Sequence, residues 1–340
     1  MIPSISAGAY EAARARAAWI DRSDRGRILV SGADRASLLQ GLLTNDVAAL
    51  KRGQGCYAAY LTPQGRMIAD LHVYELGDRM LLTMAGELKK PLLARLDQSI
   101  FSEDVQLQDV SDERAQVAIV GPDAASVAAR LVSGAEPGVL AALAEHGNVS
   151  ARFEGEPAIV TRTGDAGEPG FDALVDRTKF DRFIEALGTA GVPPLDAATA
   201  EAIRLEAGIP LFHRDMDEQT IPLEAGLESR AISFTKGCYV GQEVVIRVLH
   251  RGHGRVARKL AGLVLEGREA PASGAPVRAA DREIGHITSA SLSPALGRPI
   301  ALAYLHRDFL APGTAVTVLG VGGEVRELPF VRRGGAEAGR

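Results

Sequence analysis

From about residue 255 the sequence is cut into short apolar runs, LAGLVLEG, APVRAA, EIGHITSAS, PIALAYL, TAVTVLG and EVRELPFV, with Gly, Pro and Asp between them at nearly regular spacing. Short strands punctuated this evenly argue for a small antiparallel barrel. A boundary is expected near 250–258. On this reading residues 1–250 form one region of two intertwined subdomains, residues 251–332 form the barrel, and residues 333–340 are a frayed tail.

Upstream the texture is mixed. RILV at 27–30 reads as a strand, and Ser31-Gly32 leads into Asp34, an N-cap candidate for a helix through Leu38, Leu39, Leu42 and Leu43. YAAYLTPQGRMIADLHVYELGDRMLLTM carries a Pro-Gln-Gly turn and a Gly77-Asp78 turn between three apolar runs, the pattern of an antiparallel meander. A helix over 87–96, a strand in VAIV and a helix through DAASVAARLV follow. Residues 134–157, rich in Gly, Pro and Ala, read as a helix plus loops. AIVTRT and FDALV are strands flanking the glycine-rich GDAGEPG turn, and Phe180, Phe183, Ile184 and Leu187 mark an amphipathic helix. Residues 196–207 are helical up to Gly208, and VVIRVL at 244–249 reads as a strand. The fold class expected is α+β.

With 340 residues, 46% of them hydrophobic, the chain can build two or three cores at about 100–200 residues per domain. A net charge of −5 sets up no global basic field for nucleic acid. Cys56 and Cys238 are too few for a disulfide framework and belong to no CxxC motif, so a reducing compartment is expected. The first 24 residues lack the apolar core of an export signal, and no apolar run reaches the ~18–20 residues that cross a bilayer. These features predict a soluble cytoplasmic protein that makes no membrane contact. His250 and His253 are too few to define a metal site, and none is assigned.

Reactive side chains concentrate in Lys236-Gly237-Cys238-Tyr239-Val240-Gly241-Gln242-Glu243. Two glycines permit a tight turn that presents Cys238 and Tyr239, and an extended 236–238 would put the Lys236 ammonium beside the thiol. The plain alternative is a buried, inert cysteine at a strand start. RVLHRGHGRVARK at 247–259 is a local basic strip suited to an acidic partner, a polyglutamate tail or tRNA phosphates, or else a charged strand edge.

KGCYVGQE resembles the signature of the YgfZ type of folate-binding protein, which serves iron–sulfur cluster assembly or repair. RLEAGIP at 204–210, IPLEAGL at 221–227, RTGDAGEPGFD at 162–172, GHITSASLSP at 285–294 and IALAYL at 300–305 resemble the wider aminomethyltransferase superfamily. That resemblance implies a cloverleaf of folate-binding α/β domains with a C-terminal barrel, and tetrahydrofolate or a one-carbon derivative in a central channel. Glu168 then stands at the pterin-binding glutamate, or is a solvated turn residue. Arg204 and Arg230 would hold a ligand carbonyl or carboxylate, or pair with surface acids; Glu201 is the candidate for Arg204. Asp70 would contact folate as a base or electrostatic partner, or face solvent from a strand. Cys238, Lys236, Tyr239, Gln242, Glu243 and Asp70 are the candidate catalytic groups. Asp165 replaces the superfamily's GYTGE tyrosine, and Thr83-Met84-Ala85 lacks its asparagine. Glycine-cleavage activity is therefore not expected; partners would be iron–sulfur proteins or assembly factors, tRNA-modifying enzymes among them. The rival expectations are an aminomethyltransferase or folate-dependent demethylase, and a folate-binding scaffold without chemistry.

Overall fold

The computed structural model describes residues 5–250 and 256–332. His253, with residues 251–255 of the basic strip, and the tail at 333–340 lie outside the described residues. The chain opens with helix α1 (Ala7–Ala15), strands β1 (Ala18–Asp21) and β2 (Gly26–Ser31) and helix α2 (Arg35–Leu42). The meander follows as β3 (Gly55–Leu61), β4 (Met67–Glu75) and β5 (Arg79–Met84), then α3 (Lys89–Asp97) and β6 (Gln106–Asp109). Five antiparallel strands result, in the order β3-β4-β5-β2-β6.

A second unit comprises β7 (Arg114–Val120), α4 (Ala124–Leu131), α5 (Pro137–Ala142), β8 (Asn148–Phe153), β9 (Glu156–Thr163), β10 (Gly170–Asp176) and α6 (Phe180–Thr189). Its sheet runs β1-β7-β10-β9-β8, so the strand that precedes the first sheet in sequence belongs to the second. Helices α7 (Ala197–Glu206), α8 (Glu228–Ala231) and α9 (Gln242–His250) lead to β11 (Arg258–Leu265), β12 (Pro276–Ala279), β13 (Arg282–Ser293), β14 (Arg298–His306), β15 (Ala315–Val318) and β16 (Val321–Arg326). These last six close into a barrel in which β16 returns to pair with β11. The α+β class with a small antiparallel barrel is the fold observed.

Several local expectations are corrected. VVIRVL is part of α9: Val245 is buried, and Val248 and Leu249 pack on the same core at helical spacing, which outweighs the β preference of its branched residues. Residues 148–153 form β8, whose Ala151 and Phe153 face a core at period two. Asp34 stands at the start of α2, but its carboxylate accepts from Asp104 N at 2.9 Å and makes no bond to the helix.

The two sheets face each other across an inner layer that changes character along its length. At one end Tyr74 and Leu81 of the first sheet meet Leu174 of the second, with Val110 beside them. Towards the middle it is polar: buried Gln116 bonds Asp172 at 2.8 Å, and the Arg22 guanidinium lies 3.3 Å from the same carboxylate. Asn148 on β8 ties the sheets, donating Nδ2 to Gln54 O at 2.9 Å and its backbone N to Gly53 O at 2.8 Å.

Candidate active site

Strands β3 and β4 set the centre of this layer. Tyr57 stands directly opposite His72 and Ala59 opposite Asp70, so Tyr57, Asp70 and His72 share one face of the antiparallel pair. Tyr57 donates its hydroxyl to Asp70 Oδ2 at 2.7 Å, and its ring centroid lies 5.1 Å from that of His72. Burial, with Asp70 beside it, pushes the Tyr57 hydroxyl well above its ordinary pKa, so it remains a donor.

Asp165 enters from the loop between β9 and β10. One of its oxygens is 2.9 Å from His72 Nε2 and the other 3.4 Å from the guanidinium of Arg230 on α8. Burial alone would raise the Asp165 carboxyl, but His72, Arg22 and Arg230 outweigh it and hold the group well below the usual carboxylate range. Arg230 also lies over the Tyr57 ring, 5.4 Å from its centroid. His146 completes the wall with its ring centroid 4.9 Å from that of His72. Burial first, then the His72 charge, pushes the His146 pKa down to about 3.

Glu168, three residues beyond Asp165, is buried and paired with Arg14 of α1. Arg14 also pairs with Glu206 at the end of α7, and Glu206 accepts from the Ser293 hydroxyl and from Ala295 N at 3.2 Å. Arg204 is buried, not a surface residue; it pairs with Glu201, donates to Asp215 at 2.7 Å and bonds the Ile209 carbonyl.

The KGCY segment lies apart from this cluster. Lys236 donates its ammonium to the carbonyls of Gln40 (2.5 Å), Leu43 (2.6 Å) and Asn45 (3.1 Å), and lies over the Tyr239 ring. Burial draws its pKa down to about 8. The expected placement of this ammonium beside Cys238 is thus corrected: the charge is spent on the C-terminal carbonyls of α2. Cys238 itself is exposed, Tyr239 is buried, and Gln242 opens α9. Glu243 is exposed and pairs with Arg247 one turn on. Among the described residues no hydrogen bond or ion pair joins Cys238, Gln242 or Glu243 to the Asp70 cluster. The sequence reading missed Tyr57, His72 and Arg14; the signal for His72 was a second polar residue two positions from Asp70, on the same face of a largely apolar strand.

The GCVT N-terminal domain matches residues 4–236, and the glycine cleavage T-protein C-terminal barrel domain matches residues 258–331. The chain belongs to the glycine-cleavage T-protein family. Within it, the aminomethyltransferase of Streptomyces avermitilis is 33% identical over 95% of this chain and 88% of its own length. That of Rubrobacter xylanophilus is 34% identical over 95% and 86%. Among solved structures, the glycine cleavage system aminomethyltransferase T of Bartonella henselae superposes with a TM-score of 0.86 at 26% identity, over 96% of this chain and 89% of that one.

This family membership corrects three expectations. The narrower YgfZ resemblance rested on eight residues, whereas the aminomethyltransferases match from end to end, so the iron–sulfur and tRNA readings fall with it. The expectation that T-protein activity is absent falls too. Its argument from Asp165 also weakens on the geometry, because the acid is tied at once to His72 and Arg230. T-proteins use tetrahydrofolate, and the groups gathered here fit it. Asp70 and Glu168 are carboxylates, a kind of group able to accept from the N–H donors of a folate. Arg230 makes one 3.4 Å ion pair among the described residues and is partly exposed, which leaves donors for a carbonyl or carboxylate. No helix among the described residues is long and apolar enough to cross a membrane.

Proposed function

We propose that this chain is a cytoplasmic, tetrahydrofolate-dependent aminomethyltransferase working in glycine cleavage. The observation that carries the proposal is the end-to-end match to aminomethyltransferases, with Asp70, Tyr57, Asp165 and Arg230 meeting between the two sheets. In such a transfer two folate nitrogens bond the methylene carbon and give up their protons, while its bonds to the lipoyl sulfur and to the amine break, releasing the carrier's thiol and ammonia.

The protein's part is to orient and to handle protons. Asp70 has one oxygen on the Tyr57 hydroxyl and a second for an N–H donor or the departing amine, so its carboxylate steadies developing positive charge and receives a proton. Tyr57, sandwiched between His72 and the Arg230 guanidinium, fixes that carboxylate's orientation. Arg230 binds the anionic or carbonyl side of the ligand, and Asp165 holds Arg230 in place.

The test is a reconstituted assay with aminomethylated lipoyl carrier protein and tetrahydrofolate, following methylenetetrahydrofolate and ammonia. Both products should form in equal amounts. No product above a carrier-only control, from protein that is folded by calorimetry, would overturn the proposal.

A further inference from the structure

At the apolar end of the inter-sheet layer, the two sheets part around a cavity of about 520 Å³. None of its lining residues belongs to the Tyr57, Asp70, His72, Asp165 and Arg230 cluster. The space is partly open to solvent, and its volume lies within the ~300–1,000 Å³ of small-molecule sites.

Its lining is divided by chemistry. The floor is apolar: buried Leu81, Val110 and Leu174, with Leu29 and Ile159 left half-buried between the sheets. The rim carries Arg52, Arg79, Arg114 and Arg152 against a single acid, Asp78, which is paired with Arg79. Arg114 donates to the Pro157 carbonyl at 2.6 Å and Arg152 to the Gly155 carbonyl at 2.8 Å, partners without formal charge. The rim therefore keeps a net positive sign. The Arg52 side chain lies close against Gly77, at φ +113°, where a Cβ would stand 3.2 Å from its Cδ.

We infer that this cavity binds an amphipathic anion, a small molecule with one phosphate or carboxylate head and an apolar body. Guanidinium forks match either head by paired hydrogen bonds. The body lies on Leu81, Val110 and Leu174, where it displaces water from surface that the two sheets leave uncovered. A cationic amphiphile of the same length meets four like charges and one acid, and is refused.

The experiment is titration calorimetry on the full chain with decyl phosphate, decanoate, inorganic phosphate and decyltrimethylammonium, each below its micellar concentration. Both decyl anions should bind at least tenfold more tightly than inorganic phosphate, and their ratio reports which head the rim prefers. The double substitution Arg52→Glu/Arg152→Glu, at two exposed positions, should weaken both by at least tenfold while the thermal midpoint and the glycine-cleavage turnover stay unchanged. Ile159→Trp, which fills the floor, should weaken the decyl anions towards the level of inorganic phosphate. The inference is overturned if neither decyl anion binds, if binding survives the double substitution, or if decyltrimethylammonium binds as well as the anions.

Discussion

Two aspartates at the site do different work because they are partnered differently. Asp70 is half-buried and accepts one hydroxyl, so capacity remains on its carboxylate, whereas Asp165 is shared between His72 and Arg230. Asp70→Asn keeps the shape and removes the charge; aminomethyl transfer should fall by about 10²-fold or more, and folate affinity by much less, read from kcat and a separate folate titration. His146 makes a prediction in pH. Its folded pKa is depressed to about 3 by burial and by His72, against about 6.5 in the unfolded chain. Between those values the unfolded state binds a proton that the folded state refuses, so this residue's contribution is fully present above pH 6.5 and is lost as pH falls towards 3. His146→Asn, a residue that tolerates the φ of 62° found there, should flatten the stability profile in that window by up to about 1.4 kcal/mol per pH unit. Urea melts at several pH values measure it; an unchanged slope would show that His146 is protonated in the fold.

At the scale of elements, the segment that drew most attention in the sequence is a clamp. Lys236 bonds the last carbonyls of α2, and Gly241, at φ +84°, brings the chain so close to β3 that a Cβ would stand 2.5 Å from Thr62 O. Lys236→Met should cost about 1.5–3 kcal/mol by stripping those carbonyls of a charged donor, while Cys238→Ala, at an exposed position, should stay within about 0.5 kcal/mol. Chemical denaturation of the two variants side by side decides it. What was legible here, and what was not, follows from range. The barrel strands, the meander and the amphipathic α6 announce themselves through local periodicity. β8 was hidden by the Gly and Pro that precede it, and α9 by branched residues whose helical spacing only matters once a core is present to receive Val245. The motif KGCYVGQE signalled that something constrains it without saying that the constraint is a helix end 193 residues away. Asp70 and Arg230 were named from the resemblance and Asp165 only as a departure from it; that a distant loop and a distant helix bring Asp165 and Arg230 together has no spacing that a sequence reader could use.

Across the whole molecule, α1, the β9–β10 loop, α7 and the barrel are joined through one ion network, Arg14 with Glu168 and Glu206, and Glu206 with Ser293. Both acids are buried, so removing the arginine takes away the positive charge that the two carboxylates share. Arg14→Met should cost about 3–5 kcal/mol and, because the junction couples the parts, broaden the calorimetric transition or divide it in two. A single sharp transition at an unchanged midpoint would show that the parts are coupled elsewhere. The same junction has a consequence in time. Arg14 leaves the ribosome early and Ser293 almost last; at ~5–20 residues per second their emergence is separated by roughly a quarter of a minute to a minute. Glu206 follows late in that interval and waits for its serine, 87 residues on, for only about 4–17 s at the same rate, while the nascent chain carries its ionised seam in water.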